Sequence, residues 1–428
     1  MLPSEKRSGI QIGKKEPGEQ AVRKPKTAPE RTSRRSETPK HQISNRHTAE
    51  IRIVRNLHKT KGRRFSNRYI SHSVRVFHYA ENRFPRLLNP YWQRLFRGAY
   101  PMKPKVFSTH GLFPPARTLL EKSFDVDYWS REERPPRDEL LRRVADKDAL
   151  ICLLTEKVND ELLDRAPKLR IAATVSVGYD NIDVPACTRR KIIATHTPGV
   201  LDDTTADFAF ALLMAVARRV VEGDAWMRTG TWPGWNLDQL CGGDIWGKTL
   251  GIIGFGRIGR AVAKRAQGFD MRILYSDARR ASPEAERDLH AEFVSLDRLL
   301  AESDFISVHV PFLPETRHLI NAQTLSKMKP GAYLINTSRG PVVDEAALAA
   351  ALEAKTIRGV ALDVFESEPK VLPALVGRKD VVLTPHIASA SVETRTKMAV
   401  MAAENVIALF EGRRPANALN PEALAAAT

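Results

Sequence analysis

Residues 254–259 read GFGRIG and set three glycines, Gly254, Gly256 and Gly259, at the spacing of a turn that can close on a pyrophosphate. The hexapeptide alone is a weak signal, because short glycine patterns arise by chance. Its flanks strengthen it. The apolar run Leu250–Ile253 reads as a strand before it, and Arg260–Gln267 reads as a helix after it. Gly254 would permit the tight turn, Gly256 the approach of a phosphate to the backbone, and Gly259 the close packing of helix on strand. The helix N-terminus would add unpaired N–H groups and positive potential. A second strand ends in Asp277, 18 residues after Gly259. A carboxylate there can accept hydrogen bonds from adenosine ribose hydroxyls and repel a 2′-phosphate. This favours NAD over NADP, and Arg279 and Arg280 close by soften the discrimination.

Three later segments each close a strand-like run with polar or ionisable groups. LINTSRGPVVDEAAL brings Arg339, GVALDVFESEP brings Asp363 and Glu368, and VVLTPHIASAS brings His386. Strand ends in an open α/β sheet are where ligands and catalytic groups gather. Taken singly, Arg339 reads equally well as a surface ion pair, Glu368 as a turn residue before Pro369, and His386 as a packed core histidine. Together, downstream of a nucleotide turn, they fit one reaction.

The elements that must position these groups follow from the apolar pattern. Val106–Thr109, Ala149–Leu154, Arg170–Val175 and Ile192–Thr195 read as strands; Pro115–Lys122, the stretch around Asp160–Asp164 and Thr204–Arg219 read as helices. A loop rich in Gly, Trp and Pro follows (RTGTWPGWNLDQLCGGDIWG). Strand–helix units then restart at Lys248 and run to about residue 390, after which Ser391–Phe410 reads as a long helix. The expected fold is α/β: two doubly wound, Rossmann-like domains with parallel sheets and an interdomain cleft, preceded by a basic, disordered N-terminal extension. The expected boundaries are 1–101 for the extension, 102–200 with 391–428 for a substrate-binding domain, and 201–390 for an NAD-binding domain.

Of the 428 residues, 43% are hydrophobic and 27% charged, ordinary for a globular protein with a large core. The net charge of +17 lies entirely in residues 1–101, which hold 24 basic and 7 acidic residues, while the remainder is balanced at 43 of each. Nucleic-acid binding is therefore an expectation for that leader alone, where basic residues interleave with aromatics from Phe65 onward. A solvated tail is the blander reading and a transit peptide another, and Met102, opening MKPKVFST, reads equally as a start. The longest strongly apolar run, Phe208 to Ala217, is ten residues and too short to cross a bilayer. No N-terminal apolar stretch resembles a secretory signal. Cys152, Cys187 and Cys241 match neither a disulfide framework nor a zinc spacing. The expectation is a reduced, cytoplasmic, non-membrane protein without a metal site.

The motifs VGYDNID (177–183), THTPGV (195–200), TTADFAFALL, GFGRIG, HVPFLPETRHLI, MKPGAYLINTSRGPVVDEAAL, LDVFESEP and TPHIASAS resemble those of the D-isomer-specific 2-hydroxyacid dehydrogenase family. The resemblance covers essentially all of Met102 to about Pro421. The opening MKPKVF, the DDTTAD helix start and the Trp-Pro-Gly-Trp loop ending LCGG are most similar to its glyoxylate/hydroxypyruvate reductase branch. The resemblance implies reduction of small 2-oxo acids to D-2-hydroxy acids by hydride transfer from NAD(P)H. Glyoxylate and hydroxypyruvate are the favoured substrates, with 2-ketogluconate-type sugar acids next. Arg339 would hold the substrate carboxylate, to which a guanidinium can donate two parallel hydrogen bonds. His386 would protonate the alkoxide as hydride arrives, with Glu368 as the carboxylate that favours imidazolium and orients the ring. Val177 and Gly178 would offer backbone N–H groups to the substrate, with Ser389 beside it. Arg257 and Ile258 match the pyrophosphate turn, Thr205 a further cofactor contact, and Thr337, Ser338 and Asp363 the nicotinamide end.

The chain departs from the family pattern at His196, where Asn is expected, and at Ala388, where many relatives have Gly. Both lie near the expected cleft. His309 and His318 read as structural. A homodimer through the cofactor domain is implied, with the Thr204–Arg219 helix as its contact. Two other readings stand beside the reductase. One is an NAD-responsive binding protein similar to the C-terminal-binding-protein corepressors. The other is a short phosphoglycerate dehydrogenase: the 42 residues after His386 leave no room for the regulatory domain that many of those enzymes carry, and forms without it exist.

Overall fold

The computed structural model describes residues 103–425, so the expectations for residues 1–101 lie outside the described residues. Two parallel sheets organise the chain. The first is built from β1 (Lys105–Ser108), β2 (Asp125–Tyr128), β3 (Ala149–Cys152), β4 (Ile171–Thr174) and β5 (Ile193–Thr195), in the order β2-β1-β3-β4-β5. The second contains β6 (Thr249–Ile253), β7 (Arg272–Ser276), β8 (Ala291–Phe293), β9 (Phe305–Val308), β10 (Tyr333–Asn336), β11 (Gly359–Leu362) and β12 (Val381–Leu383). Its order is β12-β11-β10-β9-β6-β7-β8. The strand order reverses between β1 and β3 in one sheet and between β6 and β9 in the other. Such reversals open a crevice at the carboxyl ends of the strands, where ligands bind in open α/β sheets.

The strands form where the chain can be buried on both faces. β3 (ALIC), β4 (IAAT), β5 (IAT), β10 (YLIN) and β11 (GVAL) are buried at every residue, as expected for parallel strands covered by helices on both sides. The edge strand β2 (DVDY) alternates acidic with apolar residues and is partly exposed. With no apolar run to mark it, it is absent from the strands read off the sequence. Side-chain caps set several helix starts. Asn159 accepts from the Leu162 N–H, Asp183 from Ala186, Asp344 from Ala347 and Ser391 from Thr394.

The helix expected at Thr204–Arg219 spans Asp202–Ala217, with Asp202 and Asp203 in its first turn, where negative charge suits the macrodipole. Its apolar residues Ala206, Ala209, Phe210, Leu212, Leu213, Val216 and Ala217 are buried in its own chain, in one core with strands β6, β7 and β10. Phe208, Met214 and Ala215 on the same helix are only half-buried and Ala211 is exposed, so apolar surface remains on it for the expected dimer contact. Further exposed apolar residues follow it: Val220, Val221 and Met227 on the next helix (Val220–Arg228), then Trp235, Leu237 and Trp246 in the loop after that.

The long helix Val392–Phe410 returns to the first sheet, packing on β4 and on the helix Pro114–Ser123. Ala399, Ala402, Ala403 and Val406 enter one core with Val106, Leu120, Ile151 and Ile171. Beyond it, Asn420 accepts a hydrogen bond from the Ala194 N–H at 2.8 Å and donates to the Ile192 carbonyl at 2.9 Å. Among the described residues no helix is long and apolar enough to cross a membrane.

Candidate active site

A cleft of about 1930 Å³ lies at the carboxyl ends of both sets of strands. That exceeds the roughly 300–1,000 Å³ of a drug-sized pocket and leaves room for a dinucleotide beside a small acid. The turn after β6 and the loops after β9, β10, β11 and β12 line one side. The loops after β3 and β4 line the other.

The glycine turn fits a dinucleotide. Gly254 has φ +91°, and a Cβ on it would lie 2.7 Å from the carbonyl carbon of His309. A Cβ on Gly259 would run into the Gly254 carbonyl oxygen. Gly256 is different: a Cβ there would meet nothing within 4 Å, so this glycine faces open space at the head of the helix Arg257–Gln267. The protein itself does not need a glycine at 256, whereas a phosphate approaching the backbone would. Arg257, Ile258 and Thr205 line the cleft beside it, with Arg257 Nε 2.9 Å from Asp202 Oδ2. At the end of β7, Asp277 accepts the Phe255 N–H at 2.7 Å and the Arg279 N–H at 3.0 Å. At the far end, Thr337 and Ser338 line the cleft, and the buried Thr337 Oγ1 has no hydrogen-bond partner among the described residues. A buried hydroxyl left unpaired is costly unless something arrives to meet it.

Arg339, in the loop after β10, extends across the cleft. Its Nε donates to Asp180 Oδ1 at 3.0 Å and its Nη1 to the Ser338 carbonyl at 2.8 Å. Its Nη2 packs so closely on Gly178 that any Cβ there would collide with it. The loop after β4 turns its carbonyls inward. The Ser176 hydroxyl donates to the Gly178 carbonyl at 2.6 Å, and His196 Nδ1 lies 2.8 Å from the Val177 carbonyl. The Val177 and Gly178 N–H groups have no hydrogen-bond partner among the described residues. His196 also meets Tyr179 edge-on, with ring centroids 5.5 Å apart.

His386 follows β12 and lines the cleft with Glu368, Ala388 and Ser389. Its Nδ1 lies 2.9 Å from Glu368 Oε2 and 3.2 Å from Oε1. An ionised carboxylate only accepts, so this contact places a proton on Nδ1 and leaves Nε2 for the cleft. Burial acts to raise the Glu368 pKa, but the hydrogen bond and charge of His386, with the Phe365 N–H and Arg339, outweigh it and hold it below the usual carboxylate range.

Asp363 lies beneath this loop and is fully buried, away from the cleft lining. Its carboxylate accepts from Thr384 Oγ1 at 2.6 Å, Ile387 N at 2.9 Å and Ala388 N at 2.8 Å, and its backbone carbonyl accepts from His386 N at 2.8 Å. Burial pushes its pKa up, against those hydrogen bonds. Both of its carboxylate oxygens thus help to hold the histidine loop.

His309 also reaches the cleft wall, with Nε2 2.7 Å from Ser307 Oγ, and burial pushes its pKa down to about 4. His318 pairs with Glu366 at 2.6 Å. Asp180 and Asp202 carry no role in the sequence reading. Asp180 sits inside the quoted motif VGYDNID, yet the carboxylate's partner is 159 residues away and only the fold brings them together. Among the described residues no group of His, Cys, Asp or Glu is arranged to hold a metal ion.

A family model described as D-isomer specific 2-hydroxyacid dehydrogenase, NAD binding domain, matches residues 210–388. A glyoxylate reductase of Thermococcus litoralis is 51% identical over 327 residues, covering 76% of this chain and 98% of that protein. Among solved structures, a protein of Thermus thermophilus superposes with a TM-score of 0.70 at 44% identity, over 74% of this chain and 99% of that one. An NADPH-dependent glyoxylate/hydroxypyruvate reductase of Sinorhizobium meliloti, in complex with NADP and malonate, gives a TM-score of 0.65 at 33% identity, over 74% and 97%.

Proposed function

The chain belongs to the D-isomer-specific 2-hydroxyacid dehydrogenase family, and from that premise we propose that it reduces glyoxylate to glycolate and hydroxypyruvate to D-glycerate with NADH. One observation carries the reading: Arg339 and the His386–Glu368 pair, from loops after three different strands, line the same cleft as the glycine turn.

A bound nicotinamide dinucleotide supplies the hydride. Gly254, Gly256, Arg257, Ile258 and Gly259 would hold its pyrophosphate, Asp277 its adenosine ribose, and Thr205, Thr337 and Ser338 its remaining length. The free edge of the Arg339 guanidinium, with the unpartnered N–H groups of Val177 and Gly178, binds the substrate carboxylate and polarises the neighbouring carbonyl. Ser389 lies beside them. His386 gives the proton on Nε2 to the carbonyl oxygen while Glu368 holds Nδ1, so the ring stays oriented as its charge changes. Asp363 keeps the loop that bears His386 in place. Closure of the lobes excludes water from the transfer path. The preference for NAD rests on the Asp277 carboxylate, which stands where a 2′-phosphate would be repelled.

Assembly belongs to the same reading. The exposed Val220, Val221, Met227, Trp235, Leu237 and Trp246 fall within 27 consecutive residues of the cofactor-binding half. Exposed large apolar residues gathered in so short a stretch point to an interaction surface, and a second copy of this chain is the partner proposed.

A steady-state screen of 2-oxo acids with NADH and with NADPH tests the activity. Glyoxylate and hydroxypyruvate with NADH should give the highest kcat/KM. A protein that oxidises neither cofactor with any 2-oxo acid would overturn the reading.

A further inference from the structure

We propose that Asp180 is a positioning residue for the substrate anchor. It fixes the Arg339 guanidinium from across the cleft and so ties carboxylate recognition to the meeting of the two lobes. The inference rests on the role given to Arg339 above.

A guanidinium offers five N–H donors and two edges that can grip a carboxylate, Nε with one terminal nitrogen or the two terminal nitrogens together. Asp180 Oδ1 takes Nε at 3.0 Å, which removes the first edge from use. The Ser338 carbonyl takes one hydrogen of Nη1 at 2.8 Å, and Gly178, lacking a Cβ, leaves the space that Nη2 fills. What remains for a ligand is the Nη1–Nη2 edge, beside the unpartnered N–H groups of Val177 and Gly178. A long side chain held before the ligand arrives does not lose that freedom on binding.

The pair also spans the cleft. Asp180 lies in the loop after β4 of the first sheet, and Arg339 follows β10 of the second. Among the described residues it is the one ion pair that joins the two halves; the Thr204–Thr394 hydroxyl contact at 2.6 Å joins them near the helix starts. Asp180 is 43% exposed and Arg339 21%. An exposed pair of this kind adds little to stability. Its effect should therefore appear in ligand recognition, and the anchor should be aimed only when the lobes are together.

The test compares wild type, Asp180→Ala, Asp180→Asn and each combined with Arg339→Ala. It measures kcat and KM for glyoxylate, the Kd of oxamate (an unreactive isostere) with NADH present, the Kd of NADH alone, and Tm. For Asp180→Ala, KM and the oxamate Kd should rise about tenfold, the size expected for losing a hydrogen bond to a charged group. NADH affinity should stay within about twofold and Tm unchanged, as for a surface pair. Asp180→Asn, whose amide oxygen still accepts from Nε, should recover most of the loss, and neither change should add to Arg339→Ala. The proposal is overturned by oxamate binding within twofold of wild type in Asp180→Ala, by an Asn variant no better than Ala, by additivity with Arg339→Ala, or by an equal loss of NADH affinity. A wild type that neither turns over glyoxylate nor binds oxamate removes the functional reading and this one together. An active wild type with an unchanged Asp180→Ala removes this one alone.

Discussion

His386 has φ +53°, a left-handed conformation that side chains other than glycine rarely adopt. It is held there by hydrogen bonds to Asp363 from its own N–H and from the two residues after it. Strain kept in place by surrounding structure is a common mark of a working residue. His386→Gln should cut kcat by about 10²–10⁴-fold, the usual worth of a general acid, while NADH binding, followed by fluorescence titration, stays near wild type. Arg339→Ala should lower kcat/KM for glyoxylate about 10²–10³-fold, raising KM as well as slowing turnover, because two charge-assisted hydrogen bonds are lost. Arg339, Glu368 and His386 were legible in the sequence because each closes a strand in a chain that already shows a nucleotide turn. Asp180 was not, because its meaning is a contact between two sheets. That Asp363 holds the loop bearing His386 was not legible either, since a strand-end carboxylate does not show in sequence which N–H groups it accepts from.

Among the elements, the glycine turn separates fold from ligand. Gly256→Ala meets no protein atom, so Tm should hold while the NADH Kd rises, by about tenfold or more if a methyl group displaces the phosphate from the backbone. Gly254→Ala combines φ +91° with a contact of 2.7 Å to the His309 backbone, so it should lower Tm as well. Isothermal calorimetry beside thermal melts distinguishes the two. His309, at the end of β9, gives a pH signature. Its folded pKa of about 4 lies below the ordinary 6.5, so the unfolded chain binds the extra proton first as the medium is acidified. The stability tied to the neutral ring is fully present above pH 6.5 and is lost as pH falls toward 4. In His309→Gln, the fall of Tm across that window should be shallower than in wild type. Most strands could be read from the chain because buried parallel strands are apolar throughout. β2, polar on alternate residues, could not. The helix Asp202–Ala217 was located within two residues at each end, but its apolar content alone did not say which of its residues meet its own core.

For the molecule as a whole, Trp235 and Leu237 are 79% and 81% exposed, and the proposed dimer makes them its sharpest test. Asp at both positions should shift the particle mass in sedimentation or light scattering to that of one chain, leaving NADH affinity within about twofold if the cleft is untouched. The two sheets also differ in how they are finished. All strands of the second lie between residues 249 and 383, while the first, begun at residue 105, has its core closed by the helix Val392–Phe410 and its last strand pinned by Leu419 and Asn420. During synthesis the nucleotide half can therefore be complete as it leaves the ribosome, while the half translated before it waits with Val106, Leu120 and Ile171 uncovered. Of the two sheets, the one translated first is the one that stays incomplete longest.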